Sequence, residues 1–307
     1  MFPGLILAAV SLWRMTSGEW DIPFPDVVRF LLSGGKAPEA IVIHSVRLPR
    51  LLCSVMAGGV LSVSGVILQG ILANPLAEPY TLGIASGAAF GASVGILGGS
   101  FMVTPCALAG SLCALLLTGI IARHGGGGGK IILSGVISNA VLSAGVTFMK
   151  AIAGDKIGAV VLWLMGSFSG SSWPDVWRAS FGAAAVVLPA YVLGNALDAM
   201  SLGHGRASTL GVNEGLVRAV LLVAASIGTA LCVSSFGVIG FVGLAVPHIS
   251  RRLSGASHRR LILHAFMTGA GLLCIADGVA QGMGELPAGV ITALFGGVFF
   301  LWVLATR

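Results

Sequence analysis

The chain has 307 residues, of which 56% are hydrophobic and only 9% are charged, and its formal net charge is +6. Soluble proteins carry roughly 25% charged residues, and single soluble cores stop growing near ~250–300 residues, so this composition excludes a soluble globular protein. The basic balance indicates loops beside a membrane rather than binding to nucleic acid. No segment is polar enough, over enough residues, to form a separate ATPase, kinase or hydrolase domain. We therefore predict an all-α integral membrane protein with a single transmembrane domain over residues 1–307.

The apolar residues fall into blocks that we interpret as about ten membrane helices, since a hydrocarbon core of ~30 Å needs ~20 apolar residues per helix. The first run, 2–13, is short for a span and has no basic residues before it, unlike a signal peptide, so we interpret it as a short first membrane helix. A polar stretch, 14–49, follows. The remaining spans are predicted at 51–72, 81–98, 101–122, 131–150, 175–195, 217–235, 238–253, 261–281 and 287–305. Asn74-Pro75 and Pro79 end the second span, residues 151–173 form a mixed loop, and residues 196–216 form a polar segment.

Loop charges predict that both chain ends lie in the cytoplasm. With that orientation nine basic residues lie inside and eight outside, which by itself is a small margin. However, the inner loops contain only three acidic residues, whereas seven lie outside. The arginine cluster within 251–260, beside the eighth and ninth spans, is the strongest local signal for a cytoplasmic loop.

Motifs for phosphate, metal or nucleophilic chemistry are not evident in the sequence. The glycine run before Lys130 has His124 where a P-loop needs glycine and Ile131 where it needs Ser or Thr, so we interpret it as a flexible linker. His258 and His264 are six residues apart and do not share a helical face as a metal pair would. The five cysteines lie in apolar stretches without CxxC spacing, which is typical of small core residues.

Asp277 is the one acidic residue that lies clearly inside a predicted span. A carboxylate within the membrane is costly, and it is therefore a functional hypothesis by default. The alternative is a structural role, in which Asp277 bonds to a neighbouring helix near the outer surface. The sequence leaves both interpretations open.

The segment 196–216 is too polar to cross the membrane and lies on the predicted cytoplasmic side. Leu202-Gly203, Ala207 and Leu210-Gly211-Val212 indicate two short helical turns separated by glycines. We interpret this segment as a surface that docks a separate soluble protein, and an ordinary loop between spans is the alternative.

Seven motifs in register from about residue 44 to residue 305 resemble one family, the membrane permease subunits of ABC importers for ferric siderophores, haem and cobalamin (FecCD type). These motifs are RLPR at 47–50, QGILANPLAEP at 69–79, LGIASGA at 82–88, WLMGS at 163–167 with Trp173, LG at 202–203 with LGV at 210–212, GFVGL at 240–244 with PHI at 247–249, and AD at 276–277 with ELP at 285–287 and Gly289.

The resemblance implies a ten-helix permease in the inner membrane of a bacterial cell, acting as a homodimer around a central pathway. It also implies two cytoplasmic ATP-binding subunits that bind ATP-Mg, and a periplasmic or lipid-anchored substrate-binding protein. This chain itself would bind no cofactor and no metal, and it would catalyse no bond chemistry.

The resemblance also assigns roles to residues at the two ends of the bundle. Arg47 and Arg50 would form salt bridges with the binding protein, although anchoring of the helix end at lipid headgroups is the alternative. Residues 196–216 would form the ATPase coupling segment, and Asp277 and Gln69 would be polar groups within the membrane. The coupling contacts would come from Leu202, Gly203, Arg206, Ala207, Leu210 and Gly211.

Three features depart from the family pattern. Gln281 stands where a third outer arginine is often found, and His204-Gly205 replaces an acidic pair in the coupling segment. The third departure is the short first span. The first two put the strength of partner docking in doubt, and the third puts the N-terminal helix in doubt.

A secondary transporter driven by ions or protons is the main alternative, but it predicts several intramembrane carboxylates rather than essentially Asp277 alone. An intramembrane enzyme is a further alternative, for which no nucleophile and base stand out. The sequence does not distinguish a siderophore, haem or cobalamin as the cargo.

Overall fold

A computed structural model describes residues 2–18, 21–33, 38–122, 128–202, 206–255 and 257–305, and these residues are helical, with short connections and no strand among them. The helices are α1 (Phe2–Thr16), α2 (Phe24–Ser33), α3 (Pro38–Val42), α4 (Leu48–Ile71), α5 (Ile84–Gly98), α6 (Val103–Ala122), α7 (Gly128–Ile152), α8 (Ile157–Leu164), α9 (Trp173–Val192), α10 (Gly194–Ser201), α11 (Arg206–Thr209), α12 (Glu214–Phe236), α13 (Val242–Ser254), α14 (His258–Gly282) and α15 (Ala288–Ala305).

Each of the ten predicted spans coincides with one of these helices, and the all-helical membrane fold is confirmed. Within the described ranges, five helices are long and apolar enough to cross a membrane alone, and α9 and α10 pass the same test only as a pair that is bent by 58°. Helices α5 and the described apolar part of α15 are shorter. Helix α1 has 15 residues, or about 22 Å, so the first helix is indeed short.

Helix α4 is the centre of the bundle and is buried along nearly its whole length. It packs against α9, α12, α13 and α14. The contacts are made at glycines: a Cβ atom on Gly65 would lie 1.8 Å from the carbonyl oxygen of Gly243 in α13. Membrane helices associate through such close backbone approach, because lipid competes equally for apolar side chains.

In two non-helical segments at the ends of helices, side chains form hydrogen bonds with the backbone N–H and carbonyl groups. The Tyr80 hydroxyl donates to the carbonyl oxygen of Ile239 at 2.8 Å and accepts from its N–H at 3.1 Å. The Asn139 amide donates to the Tyr80 carbonyl at 3.1 Å. Backbone without such partners is not tolerated at membrane depth, so these bonds hold the chain where α5 and α13 begin.

The structure differs from the sequence prediction at three places. The third span begins at Ile84 rather than 81, because residues Pro79–Leu82 form a 3₁₀ turn that ends at Gly83 with φ of 81°. The eighth span begins at Val242 rather than 238, because Phe241 has a left-handed backbone with φ of 67°. The predicted loop 151–173 contains α8, an apolar helix that is too short to cross the membrane.

A π-helical turn, Ile43–Arg47, joins α3 to α4 and carries the chain into the span at Pro49. Together these segments form one helical run from Glu39 to Ile71. The outer end of this run bears Arg47 and Arg50, two of the predicted functional residues.

Candidate functional site

Four charged side chains meet at the outer end of the bundle, and we call them the outer charge cluster: Arg14, Arg50, Asp277 and Glu285. The Arg50 guanidinium donates two hydrogen bonds of 2.9 Å to the two oxygens of Asp277. Arg14 contacts Asp277 at 2.5 Å, and Arg50 contacts Glu285 at 2.9 Å. Asp277 is only 1% exposed, so two cations compensate a carboxylate that would be very costly alone.

The positions of these residues on their helices favour the cluster. Arg14 lies in the last turn of α1, where the helix dipole stabilises a cation. Asp277 lies more than one turn before the end of α14 and is buried there, so its carboxylate needs the arginine partners. The adjacent Gly278 lets α1 approach, because a Cβ atom there would lie 2.6 Å from the Trp13 ring.

The Asp277 carboxylate bonds to α1 and α4, as the structural alternative expects, and a functional role of Asp277 stays a prediction. Sequence reasoning did not single out Arg14. The available signal was a cation at the end of an apolar helix, on the same predicted side as Asp277. Gln281, in place of a third outer arginine, also belongs here, because its amide oxygen accepts a hydrogen bond of 2.5 Å from Arg14.

An open cavity of about 670 Å³ lies beside the outer charge cluster. Arg47 and Arg50 both line it, together with residues from the loop before α9 and from the end of α14. Arg47 donates a hydrogen bond of 2.7 Å to the Met15 carbonyl and is partly exposed. Arg50 is 7% exposed and its guanidinium is already paired. The docking role of both arginines stays a prediction.

The predicted coupling segment contains two short helices, α10 and α11, on either side of 203–205. Leu202 and Leu210 are exposed (56% and 63%), whereas Ala207 is fully buried. Gly211 has φ of 78°, and a side chain there would be strained. The backbone of Arg206 begins α11. Gly203, with His204-Gly205, lies outside the described residues, and so does the side chain of Arg206.

The coupling segment is attached to the first turn of α14 by polar contacts that the sequence analysis missed. Asp198 in α10 accepts hydrogen bonds from the backbone N–H of His258 at 2.9 Å and from the His258 ring at 2.6 Å. Beside this contact, Arg259 joins α14 to the end of α9, since it donates to the Tyr191 carbonyl at 3.2 Å and lies 5.5 Å from the centre of the Tyr191 ring. No local motif links Asp198 to His258, which are 60 residues apart.

A second open cavity, of about 470 Å³, lies at the inner end. It is lined by residues from the loop after α4, the end of α10, the start of α12, the end of α13 and the start of α14. Gln69 lines this cavity near the end of α4, with its amide 3.4 Å from the Leu244 carbonyl, and its place within the membrane stays a prediction. Each cavity is lined by loops that were all predicted to lie on the same side of the membrane. The grouping of loops in the structure is therefore consistent with the predicted topology.

Among the described residues, no group of three or more His, Cys, Asp or Glu side chains could hold a metal ion. The five cysteines, all within the described ranges, are free thiols.

Comparison with known proteins gives the same family as the sequence motifs. Residues 6–306 match the FecCD transport family. The chain is 38% identical over 281 residues to the cobalamin import system permease protein of Halobacterium salinarum, covering 87% of this chain and 74% of the relative. It is 35% identical over 315 residues to the Fe(3+) dicitrate transport system permease protein of Escherichia coli, covering 99% and 97%. A solved metal-chelate type ABC transporter, in an inward-facing conformation, superposes with a TM-score of 0.90 at 29% identity, covering 100% of this chain and 98% of that chain.

Proposed function

The chain belongs to the FecCD transport family and is the membrane permease subunit of an ABC importer, and we propose that it moves a metal chelate inward as one half of a homodimer. We further propose that ATP-Mg is bound and hydrolysed only on two separate cytoplasmic subunits, and that the complex lies in the inner membrane of a bacterial cell. The main support for this function is the family match over nearly the whole chain, together with the close superposition on a metal-chelate type transporter.

The cargo is proposed only by class. The two relatives named above import cobalamin and ferric dicitrate, which are bulky metal complexes of different shape and charge. A metal chelate is the chemistry that they share. Secondary transport is disfavoured, because both the family match and the superposed structure belong to ABC transport.

Contact with the ATPase is proposed at the coupling segment. Leu202 and Leu210 are large apolar residues that lie exposed in the segment predicted to be cytoplasmic. Burial of such side chains against a partner removes apolar surface from water and stabilises the complex. Conformational change would then follow only if ATP binding favours one arrangement of the two ATPase subunits.

Contact with the substrate-binding protein is proposed at the outer cavity, through Arg47 and Arg50. Charge-assisted pairing gives orientation and fast encounter to a transient partner. Arg47 supports this proposal better than Arg50, because its side chain is partly exposed.

Uptake should depend on a functional partner ATPase. The experiment measures accumulation of a radiolabelled iron chelate in cells that contain this permease with an intact ATPase, or with an ATPase whose Walker A lysine is replaced by alanine. We expect ATP-dependent uptake to fall to the background of cells without the permease. Uptake that persists with the inactive ATPase, and that collapses with an ionophore, would establish secondary transport instead.

Replacement of Arg47 by glutamate should weaken association with the binding protein by about tenfold or more, because an attractive contact becomes repulsive. Arg47→Glu is a cleaner test than a change at Arg50, which would also disrupt the outer charge cluster. Association is measured by surface plasmon resonance with the permease in nanodiscs, at two salt concentrations, with Lys156→Glu in the outer loop as the matched charge change. Equal affinity of Arg47→Glu and the unmodified permease would refute the docking role.

A further inference from the structure

Helices α4 and α14 pack closely against each other at their middle, and we treat them as one rigid unit. A Cβ atom on Gly58 would lie 2.3 Å from the carbonyl oxygen of Gly269, and one on Gly269 would lie 1.8 Å from the Ser62 hydroxyl. The two backbones are therefore in direct contact. Close-packed interfaces of this kind do not deform continuously, and they move as units.

The outer ends of the same two helices are joined by polar contacts. Arg50 in α4 forms its paired hydrogen bonds with Asp277 in α14, each of 2.9 Å. One turn further in, the Ser54 hydroxyl lies 3.1 Å from the Cys274 sulfur. A paired guanidinium and carboxylate fix orientation as well as distance. The outer end of the pair carries Arg47 and borders the outer cavity.

The inner end of α14 is joined to the coupling segment. Asp198 accepts both the backbone N–H and the ring of His258, which is the first residue of α14. Gly194, the first residue of α10, lies under Arg259, because a Cβ atom there would be 2.7 Å from the Arg259 side chain. Helix α14 begins at this joint, and it extends about 28 Å from His258 to Asp277 in the outer charge cluster.

We propose that the α4–α14 pair transmits movement between the ATPase coupling segment and the outer docking face, and that Asp198 and His258 are the positioning residues of its inner joint. This inference rests on the proposed function. The pair has a continuous physical connection: Asp198 with His258 at the inner end, the glycine contact in the middle, and Arg50 with Asp277 at the outer end. Docking of a loaded binding protein outside would then change the ATPase rate inside through this body.

The test uses the complete transporter, with its ATPase and binding protein, in proteoliposomes. Basal ATP hydrolysis, its stimulation by chelate-loaded binding protein, and chelate uptake are measured for the unmodified protein and for Asp198→Ala. We expect the ATPase still to copurify, while uptake and the ratio of stimulated to basal hydrolysis fall about tenfold, within the range of typical coupling between sites. Ser201→Ala is the matched control, because its hydroxyl bonds to the Asp198 carbonyl within α10.

A second variant separates geometry from charge. Asp198→Asn keeps an oxygen that can accept the His258 backbone N–H, and we expect it to retain more stimulation than Asp198→Ala. Unchanged stimulation in Asp198→Ala would overturn the proposal. Loss of ATPase copurification would also overturn it, because the joint would then only shape the docking surface. Absence of ATP-dependent uptake in the unmodified transporter would instead count against the proposed function.

Discussion

Replacement of Asp277 by asparagine is expected to lower the free energy of unfolding by about 3–5 kcal/mol, the range found when one partner of a buried ion pair is removed. The side chain keeps its shape but loses its charge, and it is only 1% exposed. Arg14 and Arg50 would then remain in the interior with only Glu285 as a charged partner, and Glu285 contacts Arg50 alone. The cost arises from the uncompensated guanidinium groups rather than from lost packing.

The measurement is thermal unfolding of the purified permease in detergent, followed as loss of monodisperse protein. Asp155→Asn is the control, because Asp155 is an exposed acid in the outer loop and should change stability little. Arg14→Met in the Asp277→Asn background removes one of the two buried cations that Asp277 compensates, and we expect it to restore part of the lost stability. A melting temperature of Asp277→Asn equal to that of the unmodified protein would show that the cluster does not stabilise the fold.

Replacement of Leu202 and Leu210 together by serine is expected to reduce chelate uptake by at least about tenfold without affecting the fold. Full burial of one leucine side chain contributes about 1.5–3 kcal/mol, and about 1.4 kcal/mol corresponds to tenfold in affinity. Both side chains are exposed in the isolated permease, so their removal should cost nothing until the ATPase binds. The effect should therefore appear in assembly and transport and not in stability.

The measurement combines copurification of the ATPase with ATP-driven uptake in proteoliposomes. Leu76→Ser is the matched control: Leu76 is 61% exposed on the same predicted side, but it lies in the loop after α4. If the double variant copurifies with the ATPase and transports as the unmodified protein does, the coupling segment does not contact the ATPase through these leucines.

The helices could be predicted from the sequence because lipid imposes one rule on all of them. Every backbone N–H and carbonyl group must be hydrogen-bonded inside the membrane, so a long apolar run such as 131–150 has to form a helix. The predicted helix boundaries are wrong where side chains from elsewhere in the chain supply these hydrogen bonds instead. The start of α13 at Val242 depends on the left-handed Phe241 and on hydrogen bonds from Tyr80, which is distant in sequence.

Contacts between polar residues could not be predicted in the same way. Asp277 was identifiable as a costly group, but its partner Arg14 is 263 residues away, and no periodic pattern relates the two. The contact between Asp198 and His258 could not be predicted for the same reason, since the two residues are 60 positions apart. The exposed leucines of the coupling segment were recognisable because they interrupt a polar segment, and such a local contrast requires no knowledge of the packing.

The π-helical turn Ile43–Arg47 matters for any chimera made between permeases of this kind. A π turn holds one residue more than an α turn, and each residue of an α-helix advances by about 100° around the axis. Deleting one residue here would leave an ordinary α turn and keep the angular register, whereas losing the widened turn without deleting a residue would rotate everything upstream by roughly that angle and turn the buried Ala40 away from its neighbours. A transplanted N-terminal section has to reproduce the widened turn as well as the number of residues, or its angular register will not fit the recipient bundle.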